Sequence, residues 1–309
     1  MWRGSMYNEN SLFSIGKNSV VVIEENPYTH VAYNNDNEIG SHLVEKGTPY
    51  IEFPELRQFS FVKHGFSTRL GGVSKEMFQT MNLSYNRGDD KDCVTENYRR
   101  ICKSIGVRIE DVVFSDQVHD TQIHVAKRED CQGTDYGHRK LVNIDGLITN
   151  EKNVVLCTSF ADCVPLFFVD KENRAIGASH SGWRGTVGKI GAKTVAKMSE
   201  EYGTKPENLH CVIGPSICVS CYEVSKDVTW QIEANFKEEI VKQCVFPKEN
   251  GKYQLDLWML NKNILIEAGV PKEQIAVSNV CTCCNSTLLF SHRASGGKRG
   301  NLCGFISLV

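Results

Sequence analysis

The stretch ADCVPLFFVDKENRAIGASHSGWRG, residues 161–185, decides how this chain is read. Two apolar runs flank the charged turn DKEN, so the segment predicts an antiparallel hairpin. With the turn centred between Lys171 and Glu172, Val169 faces Arg174 and Cys163 faces His180. Opposed residues on one face hold their Cβ atoms about 4.5–5.5 Å apart, which suits two ligands of one metal ion or a thiolate touching an imidazole. A buried cysteine beside a histidine is more often packing than chemistry, because Cys behaves as a small hydrophobe. The neighbours argue otherwise. Asp162 is costly to bury unpaired, and SGWRG sets Trp183 and Arg184, a flat wall and a planar cation, between two glycines.

Working outward, the 309 residues are 41% hydrophobic and 23% charged, ordinary values for a soluble globular chain. A net charge of -2 offers no basic surface for nucleic acid or an anionic membrane. No apolar run reaches the roughly 18 residues of a membrane-spanning helix, and no motif for a partner protein is evident. Thirteen cysteines form no compact disulfide framework, so free thiols in a reducing cytoplasm are expected.

Residues 1–55 are polar and Asn-rich and read as an N-terminal extension with a small hairpin at SVVVIEE; residues 56–309 read as one catalytic domain. DDKDCVTENYRRICKSIGV, TVGKIGAKTVAKMSEEYG and DLWMLNKNILIEAGV read as helices. DTQIHVA, NIDGLITN, NVVLCTSF, VPLFFV, RAIGAS, LHCVIGP and QIAVSNV read as strands. Strands arriving in adjacent pairs, with helices interspersed, predict an α+β fold with mixed sheets.

A zinc site needs a third ligand. His119 in DQVHDTQIHVA and His64 in KHGFSTRLGG both adjoin turns, and residue chemistry does not separate them. His124 falls in an alternating strand and reads as a packing or surface residue. CTCC at 281–284 lacks a paired partner motif, and the Cys-x-x-Cys of Cys218 and Cys221 has no second pair at finger spacing, so these thiols read as packing.

Eight ordered blocks, HGFSTRLGGVS, NLSYNRGDD, DQVHD, DGLIT, ADCVPLFF, HSGWRGT, IGPSIC…CYEV and FSHRASGGKRGNLCGFI, resemble the signature of the YfiH family over roughly residues 60–309. Its members are described as multicopper polyphenol oxidases or laccase-domain proteins, and as purine nucleoside phosphorylases. The resemblance implies a four-layer α-β-β-α arrangement of two mixed sheets flanked by helices. It places a metal on His119, Cys163 and His180. It implies phosphorolysis of adenosine, inosine and S-methyl-5′-thioadenosine, with adenosine deamination beside it. Two departures stand out: QVHD where QVHG is usual, and His292 in place of a tyrosine.

Two imidazoles and a thiolate leave a fourth position open on Zn²⁺, the pattern of a catalytic site. Asp162 is the expected acid or base and Arg69 the expected phosphate partner, with Cys163 at the metal. Arg184, Arg293, Trp183, Gln117 and Ser291 are the expected purine nucleoside and phosphate contacts, guanidinium groups gripping oxyanions and the indole stacking on the base. Two enzymatic alternatives compete, beside a non-enzymatic one, a binding module for nucleotides or cell-wall precursors. A copper-dependent phenol oxidase would use the same ligands, although blue-copper centres add an axial Met that the sequence does not offer. A metal-free hydrolase would use Cys163 as nucleophile and His180 as base.

Overall fold

The computed structural model describes residues 19–22, 30–33, 40–132 and 141–309. Ser19–Val22 (β1) and His30–Tyr33 (β2) pair antiparallel. Residues 23–25 of the expected SVVVIEE strand lie outside the described residues.

Two six-stranded mixed sheets face one another. The first comprises His42–Val44 (β3), Tyr50–Glu52 (β4), Val62–Ser67 (β5), Val112–Phe114 (β6), Val155–Phe160 (β9) and Leu302–Leu308 (β17), in the order β3-β4-β5-β17-β9-β6. The second comprises Ile123–Val125 (β7), Gly146–Thr149 (β8), Val164–Asp170 (β10), Ala175–Ser181 (β11), Leu209–Ile213 (β12) and Ile275–Val277 (β16), in the order β16-β12-β10-β11-β8-β7. Glu223–Val224 (β13), Val245–Pro247 (β14) and Tyr253–Leu255 (β15) form a small sheet apart, in the order β13-β15-β14. The domain boundary drawn near residue 56 therefore falls inside the first sheet, because β3 and β4 pair onto β5.

Period-2 geometry explains why the central strands are apolar throughout. In β10, Phe167 and Val169 point into the core between the sheets, while Val164, Leu166 and Phe168 join the core under the helices. In β17, Leu302, Ile306 and Leu308 face the inter-sheet core, and Cys303 and Phe305 face the other way. A strand buried on both faces cannot show polar alternation. Close approach of the sheets needs Gly304, where a Cβ would lie 2.5 Å from Phe167 Cζ.

Helices close both outer faces. Lys91–Ile105 is capped by Asp90, which accepts from the amides of Asp92 and Cys93, and ends at left-handed Gly106. Its Val94, Tyr98 and Ile101 pack on Phe305 of the first sheet. Ile190–Tyr202 and Leu257–Glu267 cover the second sheet through Ile190, Met198, Leu260 and Ile264. The result is the α-β-β-α layering that the motif resemblance implies. Among the described residues, no helix is long and apolar enough to cross a membrane.

Two expectations need correction. The helix read over TVGKIGAKTVAKMSEEYG is broken into Trp183–Val187 and Ile190–Tyr202. Gly188, the weakest helix former there, packs so tightly on Thr121 that a Cβ would lie 2.6 Å from its Cγ2. Lys189 then takes a left-handed φ of 57° and restarts the helix. The hairpin register is also shifted: Asp170 pairs with Ala175 and Pro165 with His180, so the turn is Lys171–Arg174. The cause is the Asp170 carboxylate, which accepts from the amides of Glu172 at 3.0 Å and Asn173 at 3.1 Å and so ends the strand one residue later. Strand β10 gains one position and β11 gives one up. Side-chain parity survives, and Cys163, just ahead of β10, stays on the face of His180 as its diagonal neighbour.

Candidate metal centre and cleft

Three chain segments deliver His119, Cys163 and His180 to one point. His180 closes β11 on the face toward the other sheet, its ring 5.4 Å from that of Phe160. Cys163 leads into β10, after a corner at Asp162 with a φ of 85°. His119 sits in the loop before β7 with a φ of 63°, its ring edge-on to His180 at 4.8 Å. The three ligand atoms lie within 4.8 Å of one another. His64 is elsewhere: it is buried in β5 and accepts from the Phe53 amide at 2.9 Å. Two non-glycine residues with positive φ flanking one point are the kind of backbone strain that concentrates at functional sites.

One residue organises the group, and the sequence reading gave it no role. Asp145, fully buried ahead of β8, accepts from the amides of Val118, His119 and Asp120, each at 3.0 Å. Its Oδ1 also meets His180 Nδ1 at 2.8 Å, and its carbonyl accepts from the His180 amide at 2.7 Å. The left-handed step at His119 turns three successive N–H groups inward to make this anion nest. Asp145 thus fixes the His119 loop and the His180 tautomer together, presenting Nε2 of His180 to a metal as carboxylate–histidine–metal triads do. The signal was available in NIDGLITN, as a carboxylate at the threshold of an apolar strand.

Charge couples these groups. Burial alone would push the Asp145 carboxyl up, but His180 and the backbone amides hold it below the usual carboxylate range. Burial likewise opposes a charged thiolate, yet neighbouring His180, with His119, brings Cys163 down to about 6. Burial would lower His180, but the Cys163 thiolate and Asp145 lift it to about 9. Thiolate and imidazole donors of this kind suit zinc or copper. Gly182 leaves room for them: a Cβ there would lie 2.9 Å from His119 Cδ2 and 3.1 Å from Cys163 Sγ.

The three donors open into a cleft of about 270 Å³ walled also by Arg87, Asp116, Gln117, Ser159, Arg299 and Asn301. Gln117 is locked in place, its amide pairing with the Ser159 backbone at 2.7 and 3.0 Å. Arg299 was missed by the sequence reading. Its Nη1 donates to the Gly300 carbonyl at 3.2 Å and to Asn301 Oδ1, whereas its buried Nε finds no acceptor among the described residues. Burial, with Arg87 nearby, brings this guanidinium down to about 10.

Other expected residues stand further out. Arg69 and Ser291 line an adjoining cavity that shares Arg299, and Arg69 donates to the carbonyls of Gln79 and Ser286. Of the described residues, Trp183, Arg184 and Arg293 do not line the cleft. Arg184 lies 4.3 Å over the Trp183 ring, and Arg293 donates to the carbonyls of Cys221 and Glu223. Asp162 accepts from Thr282 Oγ1 at 2.6 Å and from the Arg293 amide at 2.7 Å, so both its oxygens brace the corner before Cys163. Asp116 is the carboxylate that lines the cleft.

The same architecture exists elsewhere. A family model described as multi-copper polyphenol oxidoreductase laccase matches residues 63–309. The purine nucleoside phosphorylase YlmD of Bacillus subtilis is 38% identical, over 79% of this chain and 87% of that protein. Adenosine deaminase RL5, from an unknown prokaryotic organism, is 31% identical, over 80% of this chain and 96% of its own. The crystal structure of the Bacillus licheniformis hypothetical protein YfiH aligns with a TM-score of 0.81 at 32% identity, covering 86% of this chain and 99% of that one.

Proposed function

Since the chain belongs to the multi-copper polyphenol oxidoreductase laccase family, the group that includes YfiH and YlmD, we propose that it is a zinc-dependent purine nucleoside phosphorylase. The substrates proposed are adenosine, inosine and S-methyl-5′-thioadenosine, with adenosine deamination as a second activity; relatives named for each reaction support this pairing. The observation that carries the reading is the juxtaposition, in one cleft, of a His₂Cys donor set and the under-paired guanidinium of Arg299. A Lewis acid and an oxyanion grip side by side suit attack by phosphate at a nucleoside.

His119, Cys163 and His180 would hold the ion, which as a three-ligand zinc supplies Lewis acidity and a nucleophilic water at neutral pH. Arg299 and Arg87 are proposed to bind and orient phosphate. In phosphorolysis the C1′–N9 bond breaks, a phosphate oxygen bonds to C1′, and the departing purine takes a proton, for which Asp116 is the proposed source. In deamination water adds at C6 and ammonia leaves. Arg69 and Ser291, across the shared Arg299, are proposed to reach the distal part of the substrate. Gln117 is proposed to shape the pocket floor.

Incubating metal-replete protein with adenosine, with and without phosphate, tests the proposal by product chromatography. Adenine and ribose 1-phosphate should form only with phosphate, and inosine in both. No base release in phosphate buffer would sink the phosphorylase reading.

A second reading is favoured by one observation. Cys163, His180 and Asp145 stand in the order nucleophile, base and orienting carboxylate of a cysteine hydrolase. It requires turnover that resists chelators and is abolished when iodoacetamide alkylates Cys163 in metal-free protein. The copper oxidase reading lacks such support: no Met lines the cleft among the described residues.

A further inference from the structure

The sequence holds two Cys-x-x-Cys pairs, Cys218 with Cys221 and Cys281 with Cys284; the second is concealed in CTCC by the extra thiol of Cys283. The sequence alone leaves these thiols as packing residues, but the fold brings the two pairs together from 60 residues apart. The four sulfur atoms lie within 4.8 Å of one another. Cys284 Sγ is 3.5 Å from Cys221 Sγ and 4.0 Å from Cys218 Sγ. A zinc ion with four thiolates at 2.3 Å places its sulfurs about 3.8 Å apart, so the observed separations bracket the edge of that tetrahedron.

The surroundings are those of thiolates. The amides of Cys218 and Cys284 both point at Cys281 Sγ, at 3.3 and 3.4 Å. Backbone N–H groups aimed at one sulfur stabilise its negative charge. Cys218 and Cys281 are fully buried, Cys221 and Cys284 half-buried, and none of the four is in a disulfide. Backbone bonds between the two loops, Ser216 N to the Val280 carbonyl and Thr282 N to the Ser216 carbonyl, set their register.

We infer that Cys218, Cys221, Cys281 and Cys284 ligate a second, structural zinc ion that clamps these two loops beneath the cleft. The knot reaches the site already described. Thr282, inside the second pair, donates to the Asp162 carboxylate, the Ile217 amide donates to the Asp162 carbonyl, and Arg293 holds the Cys221 carbonyl. Asp162 and its left-handed corner set the approach of Cys163. Closed four-thiolate sites contribute folding energy and no open position, so this ion would position and not react.

Metal analysis of the full-length protein tests this, comparing wild type with the double variants His119→Ala/His180→Ala and Cys218→Ser/Cys284→Ser. Zinc should fall from about two ions per chain to about one in each variant. In the His119→Ala/His180→Ala protein the remaining zinc should be released only as four thiols are titrated with a mercurial. Exchange with Co²⁺ there should give the visible spectrum of a tetrahedral tetrathiolate. If the cysteine variant fails to fold, the histidine variant still decides. Absence of zinc from that variant, iron in its place, a disulfide among the four, or ready alkylation of all four in the folded state would each overturn the assignment.

Discussion

Asp145 accepts three amides of the His119 loop and the Nδ1 proton of His180, so one carboxylate sets both imidazoles. Asp145→Asn keeps the shape but offers an amide that can donate to His180 Nδ1, favouring the tautomer whose Nε2 carries a proton and cannot ligate. Zinc affinity measured by chelator competition should fall 10- to 100-fold, the usual effect of losing an outer-shell partner. An unchanged dissociation constant would mean the histidines are oriented by something else. His64, which residue chemistry alone could not separate from His119, has a different task. Burial brings its imidazole down to about 4, and it stays neutral to accept from Phe53. Its folded-state pKa lies below the unfolded value of 6.5, so unfolded chains take up the proton first. The contribution is complete above about pH 6.5 and is lost as pH falls toward 4, about 3 kcal/mol in all. His64→Gln can accept the same bond without titrating. Urea denaturation at pH 7 and pH 4.5 should show the variant losing distinctly less stability on acidification; equal losses would rule His64 out as an acid sensor.

At the scale of elements, the hairpin was legible and its register was not. Two apolar runs and a charged turn were enough to pair β10 with β11, but which of Asp170 and Lys171 opens the turn depends on a side-chain cap that hydrophobic pattern does not encode. The direct pairing of Cys163 with His180 is lost to Pro165, but both side chains keep one face because each strand boundary moves by one residue. Asp170→Ala removes the acceptor for the Glu172 and Asn173 amides and for Asn173 Nδ2. We expect a loss of about 1–3 kcal/mol in denaturant titrations. A change below half of that would mean the turn is held by the strands alone. The helix break at Gly188 was likewise hidden: the apolar spacing of TVGKIGAKTVAKMSEEYG runs through it, and the left-handed step at Lys189 that divides the helix leaves no mark in that spacing.

Over the whole molecule, the class was readable from alternating strand and helix signals, whereas the sheet order was not. Strand β17 lies between β5 and β9, joining residues more than 140 positions apart, and nothing local encodes that pairing. The consequence for the site is a division of labour. All three donors and Asp145 hang from the second sheet, at β7, β8, β10 and β11, while Ser159 on β9, with Arg299 and Asn301 ahead of β17, belongs to the first. The cleft draws its walls from both sheets, which approach one another closely where Gly304 meets Phe167. Gly304→Ala must push the sheets apart or displace that ring, costing about 1–3 kcal/mol. Because the donors move together, zinc stoichiometry and affinity should stay close to wild type. The distance from donors to Arg299 should grow, so kcat/KM for phosphorolysis should fall at least tenfold, with most of the loss in KM for phosphate. Adding Phe167→Leu should restore stability and turnover together, since the smaller side chain vacates the space that the new methyl needs. If Gly304→Ala weakened zinc binding in step with turnover, the separation of metal and oxyanion halves across the two sheets would be wrong, and with it the view that sheet spacing governs how the nucleoside and phosphate meet.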